Sequence, residues 1–177
     1  MINFIITGKK HEGKTTYSYN LNNMLLRANI STGGFLSRGS FKDNIRHKFY
    51  LESLLDNNKT LLAEYGKTGD FIYGGFGFYE NAFNSAYHIY NNSISLKKDI
   101  IFIDEVGKWE LSMGGFYNLL NKLPLYSHIL LVCRNDFAND INNLFFNNSA
   151  YILSIEESIE NNFNTIINTL KGNMKVI

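Results

Sequence analysis

The chain has 177 residues, 45% hydrophobic and 15% aromatic, enough for one domain with a packed core and too apolar for a disordered chain. Its net charge of +1 leaves no electrostatic footprint for nucleic acid or an anionic membrane. Cys133 is the single cysteine, which excludes an internal disulfide and a Cys-rich metal pattern and reads as a small apolar residue of a buried strand.

In chain order, residues 2–6 form a short apolar run ending at Thr7-Gly8, a buried strand feeding a loop. From 14 to 27 the apolar residues fall at helical spacing. Gly33-Gly34 opens a second short strand over 35–37. Residues 46–54 and 61–65 read as meandering strands separated by the turn residues Asp56-Asn57-Asn58. The aromatic, glycine-rich run 71–79 reads as a core strand with a glycine turn, in preference to a platform stacking a nucleobase. A helix follows over about 80–91.

Residues 99–106 contain Ile100-Ile101-Phe102-Ile103, typical of a strand covered on both faces. A helix over 116–123 is stopped by Pro124. Residues 128–133 form another covered strand, 136–146 a helix and 150–153 a short strand. The last helix runs from about 156 to 170, with Gly172 placed to end it. Covered strands alternating with helices predict a three-layer α/β domain over 1–177, its sheet mainly parallel with antiparallel strands inserted over about 33–79. The N-terminus lacks a basic leader with a signal-length apolar stretch, and no apolar run approaches the ~20 residues of a membrane span. A cytoplasmic location is expected.

Gly8-Lys9-Lys10-His11-Glu12-Gly13-Lys14-Thr15 fits the phosphate-binding loop (P-loop) pattern G-x-x-x-x-G-K-[ST] in full, between a predicted strand and a predicted helix. Gly8 and Gly13 allow the φ values and close backbone approach needed to wrap a phosphate. The amides of the loop then point inward, with the helix N-terminus adding positive potential. Lys14 would reach the β- and γ-phosphates, the Thr15 hydroxyl would ligate Mg²⁺, and Thr16 follows in the first helical turn. His11 and Glu12 occupy positions whose side chains face outward, and no catalytic role is assigned to them.

Asp104-Glu105 follows the apolar run at a strand's C-terminal end, which in a parallel sheet opens on the same edge as the P-loop. Asp104 would hold the magnesium, and Glu105 would serve as general base or orienter of the attacking water. Asp104-Glu105-Val106-Gly107 also fits the D-x-x-G string of regulatory GTPases. A guanine-reading N-K-x-D is missing, however: Asn121-Lys122-Leu123-Pro124 lacks the Asp. Arg134-Asn135 follows the strand 128–133 on the phosphate-facing edge, where Arg134 is either a γ-phosphate contact or an ordinary loop residue.

Three segments together resemble the THEP-type nucleoside triphosphatases. They are Gly13-Lys14-Thr15-Thr16, Gly33-Gly34-Phe35, and Ile103-Asp104-Glu105-Val106-Gly107-Lys108-Trp109-Glu110-Leu111. The family shows Asp-Glu-Ile-Gly-Lys-Met-Glu-Leu in the last, so Val106 and Trp109 are conservative replacements. The similarity spans roughly residues 3–135. It implies a RecA-like domain hydrolysing nucleoside triphosphates, ATP or GTP, with broad base preference, and roles for Lys108 and Glu110 beyond the Asp-Glu pair. Lys108 is either a solvated lysine or a cation near the developing γ-phosphate charge. Where the family continues Tyr-Thr-Glu-Glu-Val-Arg, this chain has Leu36-Ser37-Arg38-Gly39-Ser40-Phe41, so the family's arginine is missing there and turnover is expected to be slow if it contributes. Arg46 is a candidate for the family's later arginine.

Two rivals stand beside the hydrolase. A small-molecule kinase would close an arginine-rich lid, and the chain has only Arg27, Arg38, Arg46 and Arg134, unclustered in sequence. A nucleotide-dependent binding module, with a protein partner supplying the arginine, is the other.

Overall fold

The structure is a computed structural model that describes residues 1–42, 45–66 and 68–173. A nine-stranded sheet runs through it. In chain order the strands are β1 (Phe4–Gly8), β2 (Thr32–Lys42), β3 (Ile45–Ser53), β4 (Lys59–Tyr65), β5 (Phe71–Tyr73), β6 (Phe76–Phe78), β7 (Ile100–Val106), β8 (His128–Arg134) and β9 (Tyr151–Ser154). The helices are α1 (Lys14–Arg27), α2 (Glu80–Ser95), α3 (Lys108–Leu111), α4 (Tyr117–Leu120), α5 (Asn135–Phe146) and α6 (Ile159–Asn173). Across the sheet the order is β5-β6-β4-β3-β2-β7-β8-β1-β9. β2, β7, β8, β1 and β9 pair in parallel, whereas β3, β4, β6 and β5 extend the sheet antiparallel from β2.

The apolar runs are explained by burial on both faces. Ile101 and Ile103 point into one core with Ile5, Ile129 and Leu131, under α2 and α5. Ile100 and Phe102 point the other way, with Phe4, Ile6, Leu130 and Val132, against Leu21 and Leu25 of α1 and Ile166 of α6. Strand residues alternate sides, so a strand covered twice must be apolar at every position. No helix among the described residues is long and apolar enough to cross a membrane.

Several predicted elements take a different form. The short strand at 35–37 is the middle of an eleven-residue β2, which leaves β7 after Phe35 and continues against β3. Gly34 permits the close approach: a Cβ there would lie 2.0 Å from the Phe102 carbonyl oxygen, and its φ is +84°. The run 71–79 is an edge hairpin, not a core strand. Gly74 and Gly75 both take positive φ in its two-residue turn, and Phe71 and Ile72 are about half exposed. The helix at 116–123 shrinks to the single turn of α4, since the residue before Pro124 is pushed out of the helical region. α6 starts later than predicted, where Ser158 Oγ accepts the Asn161 N–H at 3.1 Å, and Gly172 lies inside it. The Arg46 side chain lies outside the described residues.

Candidate active site

The P-loop joins β1 to α1. Its two glycines serve different needs. Gly13 carries the left-handed φ of +86° that admits the chain to α1. At Gly8 the demand is space, because a Cβ would lie 2.6 Å from the Ile155 side chain. His11 also takes a positive φ, +66°, a region in which histidine is enriched among non-glycine residues. Glu12 turns back on the loop: its Oε2 accepts the Lys9 N–H at 2.6 Å. Lys9 pairs with Glu12 at 3.6 Å and with Glu156 at 3.4 Å. Lys10, His11, Glu12 and Thr16 are exposed.

Lys14 folds its half-buried side chain under the loop and donates to the carbonyls of Lys9 (2.7 Å) and Gly8 (3.1 Å). Burial lowers its pKa from the usual lysine range, while Glu105 and Asp104 pull it up. Thr15 Oγ1 donates to Asp104 Oδ2 at 2.8 Å. The same oxygen accepts the Ser37 N–H at 3.0 Å, and Asp104 Oδ1 accepts the Glu105 N–H at 2.7 Å. Asp104 is 2% exposed, and burial first, then the charge of Glu105, pushes its pKa up to about 6.

The strand itself separates the two acids. Ile103 faces Leu131 and Val106 faces Cys133 across β8, so Asp104 and Glu105 together oppose one residue. This is a β-bulge, which re-aims side chains. It keeps Asp104 buried beside Thr15 and turns Glu105 into an open cleft, at a φ of +61°.

That cleft has a volume of about 800 Å³ and takes in the P-loop from Gly13 to Thr16, Asp104, Glu105, Lys108 and Arg134. Lys108 is exposed at its rim as the first residue of α3. Arg134 immediately precedes α5, pairs with Asp136 and lies over the Phe137 ring at 5.2 Å. Cys133 is buried at the end of β8, with its thiol pushed up to about 12 by burial.

Glu110, for which the resemblance implies a role beyond the Asp-Glu pair, has a structural job. It is 3% exposed. Its Oε2 accepts the Gly107 N–H at 2.8 Å and its Oε1 the Phe116 N–H at 3.0 Å. Both oxygens are thereby committed to shaping the loop after β7.

Sequence reasoning passed over Ser37 and Arg38. Ser37 positions Asp104 through its N–H. Arg38 lines the cleft, bonded to Glu52 at 2.7 Å and stacked 4.3 Å over the Tyr19 ring. The signal was present: both sit where β2 leaves its parallel partner, on the strand-end edge that located Asp104 and Arg134.

A family model described as NTPase matches residues 3–140. The nucleoside-triphosphatase THEP1 of Sulfolobus acidocaldarius is 31% identical over 118 residues, 67% of each chain. The chain belongs to the THEP1-type nucleoside-triphosphatase family. Another relative, the THEP1 nucleoside-triphosphatase of Methanocaldococcus jannaschii, is 28% identical over 171 residues, covering 96% of this chain and 98% of its own. Two solved structures share the fold. A human cancer-related nucleoside triphosphatase superposes with a TM-score of 0.70 at 17% identity, over 97% of this chain and 98% of its own. THEP1 from Aquifex aeolicus gives 0.62 at 19% identity, over 87% and 90%.

The donor set of this family member suits Mg²⁺. A hydroxyl and a carboxylate oxygen 2.8 Å apart are hard ligands of the kind that magnesium shares with substrate phosphates. A cation between them would also offset the desolvation that raises Asp104.

Proposed function

We propose that the chain hydrolyses the terminal phosphate of a magnesium-bound nucleoside triphosphate, ATP or GTP, with little preference among bases. The observation that carries the reading is the Thr15–Asp104 hydrogen bond of 2.8 Å at the head of a complete P-loop, with Glu105 turned out into the cleft beside it.

The loop amides and the start of α1 cradle the phosphates, and Lys14 presents its ammonium to the β- and γ-oxygens. Thr15 and Asp104 would hold Mg²⁺, which when bound supplies charge neutralisation to the transferring phosphoryl group. Glu105 orients the attacking water and accepts its proton. Lys108 and Arg134 flank the same space and favour the charge that develops there.

Single-turnover hydrolysis paired with equilibrium binding tests the division of labour. Glu105→Gln keeps the shape of the side chain without a basic oxygen, so turnover should fall about 10²–10⁴-fold with nucleotide affinity almost unchanged. Asp104→Asn should weaken magnesium dependence and binding as well. A wild-type rate in Glu105→Gln would remove Glu105 from the role of base.

A further inference from the structure

The cleft is shared between the phosphate-binding end and a second, aromatic part. Its volume is about 800 Å³, several times that of a cavity of about 150 Å³ that accepts benzene. The metal-binding pair Thr15 and Asp104 marks the γ-phosphate end of the nucleotide. From there the cleft runs away from the P-loop, over the antiparallel half of the sheet and α3. Phe49, Leu62, Phe78, Phe83, Trp109 and Phe116 wall this part.

Trp109 is its centre. Tyr73 stacks on the indole at 4.9 Å and 7°, Phe83 meets it edge-on at 5.7 Å and 85°, and Phe78 tilts against it at 4.8 Å. Offset and edge-to-face contacts of this kind are the ones a further planar ring can join. At the rim the fold gathers Arg38, Lys108 and Arg134, which lie far apart in sequence. These charges stand at the rim, whereas the six side chains that wall the aromatic part carry none, so that part calls for an uncharged ring rather than an anion. Glu105 faces this same space.

We propose that the aromatic part of the cleft binds a second small molecule, an uncharged planar aromatic alcohol, which takes the γ-phosphoryl group in place of water. The inference rests on the nucleotide site proposed above. The hydroxyl oxygen forms a bond to Pγ as the Pγ–O bond to the β-phosphate breaks. The hydroxyl proton passes to the Glu105 carboxylate and then to solvent. The products are a nucleoside diphosphate and the phosphate monoester of the alcohol.

The chain's single tryptophan is Trp109, so its emission reports on this wall alone. The probes are naphthylmethanol, methylnaphthalene (same ring, no hydroxyl) and cyclohexylmethanol (hydroxyl, no aromatic ring). Both naphthalenes should change Trp109 emission saturably. With MgATP, phosphorus NMR should show naphthylmethyl phosphate beside inorganic phosphate, at an ester-to-phosphate ratio at least tenfold above that from cyclohexylmethanol. Phe83→Ala and, independently, Phe49→Ala should lower that ratio at least fivefold, a readout that needs no comparison of folded amounts. Three results would overturn the proposal: inorganic phosphate alone while the emission is saturated, equal ester yields from both alcohols, or displacement of naphthylmethanol by MgADP, which would put the nucleobase in the cleft. The hydrolase reading is judged separately in the alcohol-free reaction, where absence of phosphate release would sink it whatever the alcohol does.

Discussion

Glu110 holds a carboxyl where water does not reach, between the backbone amides of Gly107 and Phe116. Two N–H bonds favour its charged form, but desolvation outweighs them and pushes the pKa up to about 7 from the ordinary 4.5. The folded chain therefore keeps a proton through that interval while the unfolded chain has released it. Stability is fully present below pH 4.5 and is lost as the pH rises through 7. Asp104, raised to about 6, adds to the same slope. Urea unfolding from pH 5 to 8 should show the decline in the wild type and a shallower one in Glu110→Gln, the remainder belonging to Asp104. The amide can accept only one of the two N–H bonds, so the variant should also lose about 1–3 kcal/mol at low pH. An unchanged slope would mean that Glu110 titrates as an exposed acid does.

At the scale of elements, the bulge in β7 keeps Asp104 buried beside Thr15 and turns Glu105 out into the cleft. It holds Glu105 at a φ of +61°, a conformation that costs a residue with a Cβ about 1–2 kcal/mol. Glu105→Gly should therefore be more stable than Glu105→Ala by about 1 kcal/mol in urea unfolding, the reverse of the order expected in a regular strand. Alanine as the more stable variant would show that the strand runs without the bulge.

None of this was legible in Ile103-Asp104-Glu105-Val106, because a bulge is set by the partner strand and leaves no mark in composition. What was legible had a local cause. Residues 8–15 must wrap a phosphate, α1 follows at helical spacing, and the double coverage of β7 and β8 requires unbroken apolar runs. The failures have tertiary causes. β2 is longer than its predicted span because its outer half is held by β3, and the aromatic run 71–79 is an edge hairpin whose rings serve the cleft. Arg38, Lys108 and Arg134 meet only after the sheet has formed, so the scarcity of arginines in the sequence said nothing of the cleft they share.

At the scale of the whole molecule, the site proposed above would put the two ends of a nucleotide on opposite flanks of β1. Asp104, bonded to Thr15, and the aromatic cleft lie on the side of β8, β7 and β2; a terminal phosphate held there, as proposed, would leave the nucleoside toward β9. On that flank Lys9 and Glu156 are exposed and paired with each other at 3.4 Å, the apolar Ile155 packs under Gly8, and the buried Asn162 amide already donates to Tyr17 Oη and the Ser154 carbonyl. A site rejects a wrong base strongly only when it buries polar groups that the wrong base leaves unpaired. An exposed ion pair can reorient or meet water whichever base is present, so it discriminates weakly. Hydrolysis of ATP, GTP, CTP and UTP at saturating magnesium should accordingly give kcat/KM values within about a hundredfold of one another, roughly 2.7 kcal/mol of transition-state discrimination. A wider spread would require a base-reading pocket, and if methylnaphthalene then competed with the favoured nucleotide, that pocket would be the aromatic cleft. The nucleotide would in that case lie across the sheet in the opposite sense, with its base over α3.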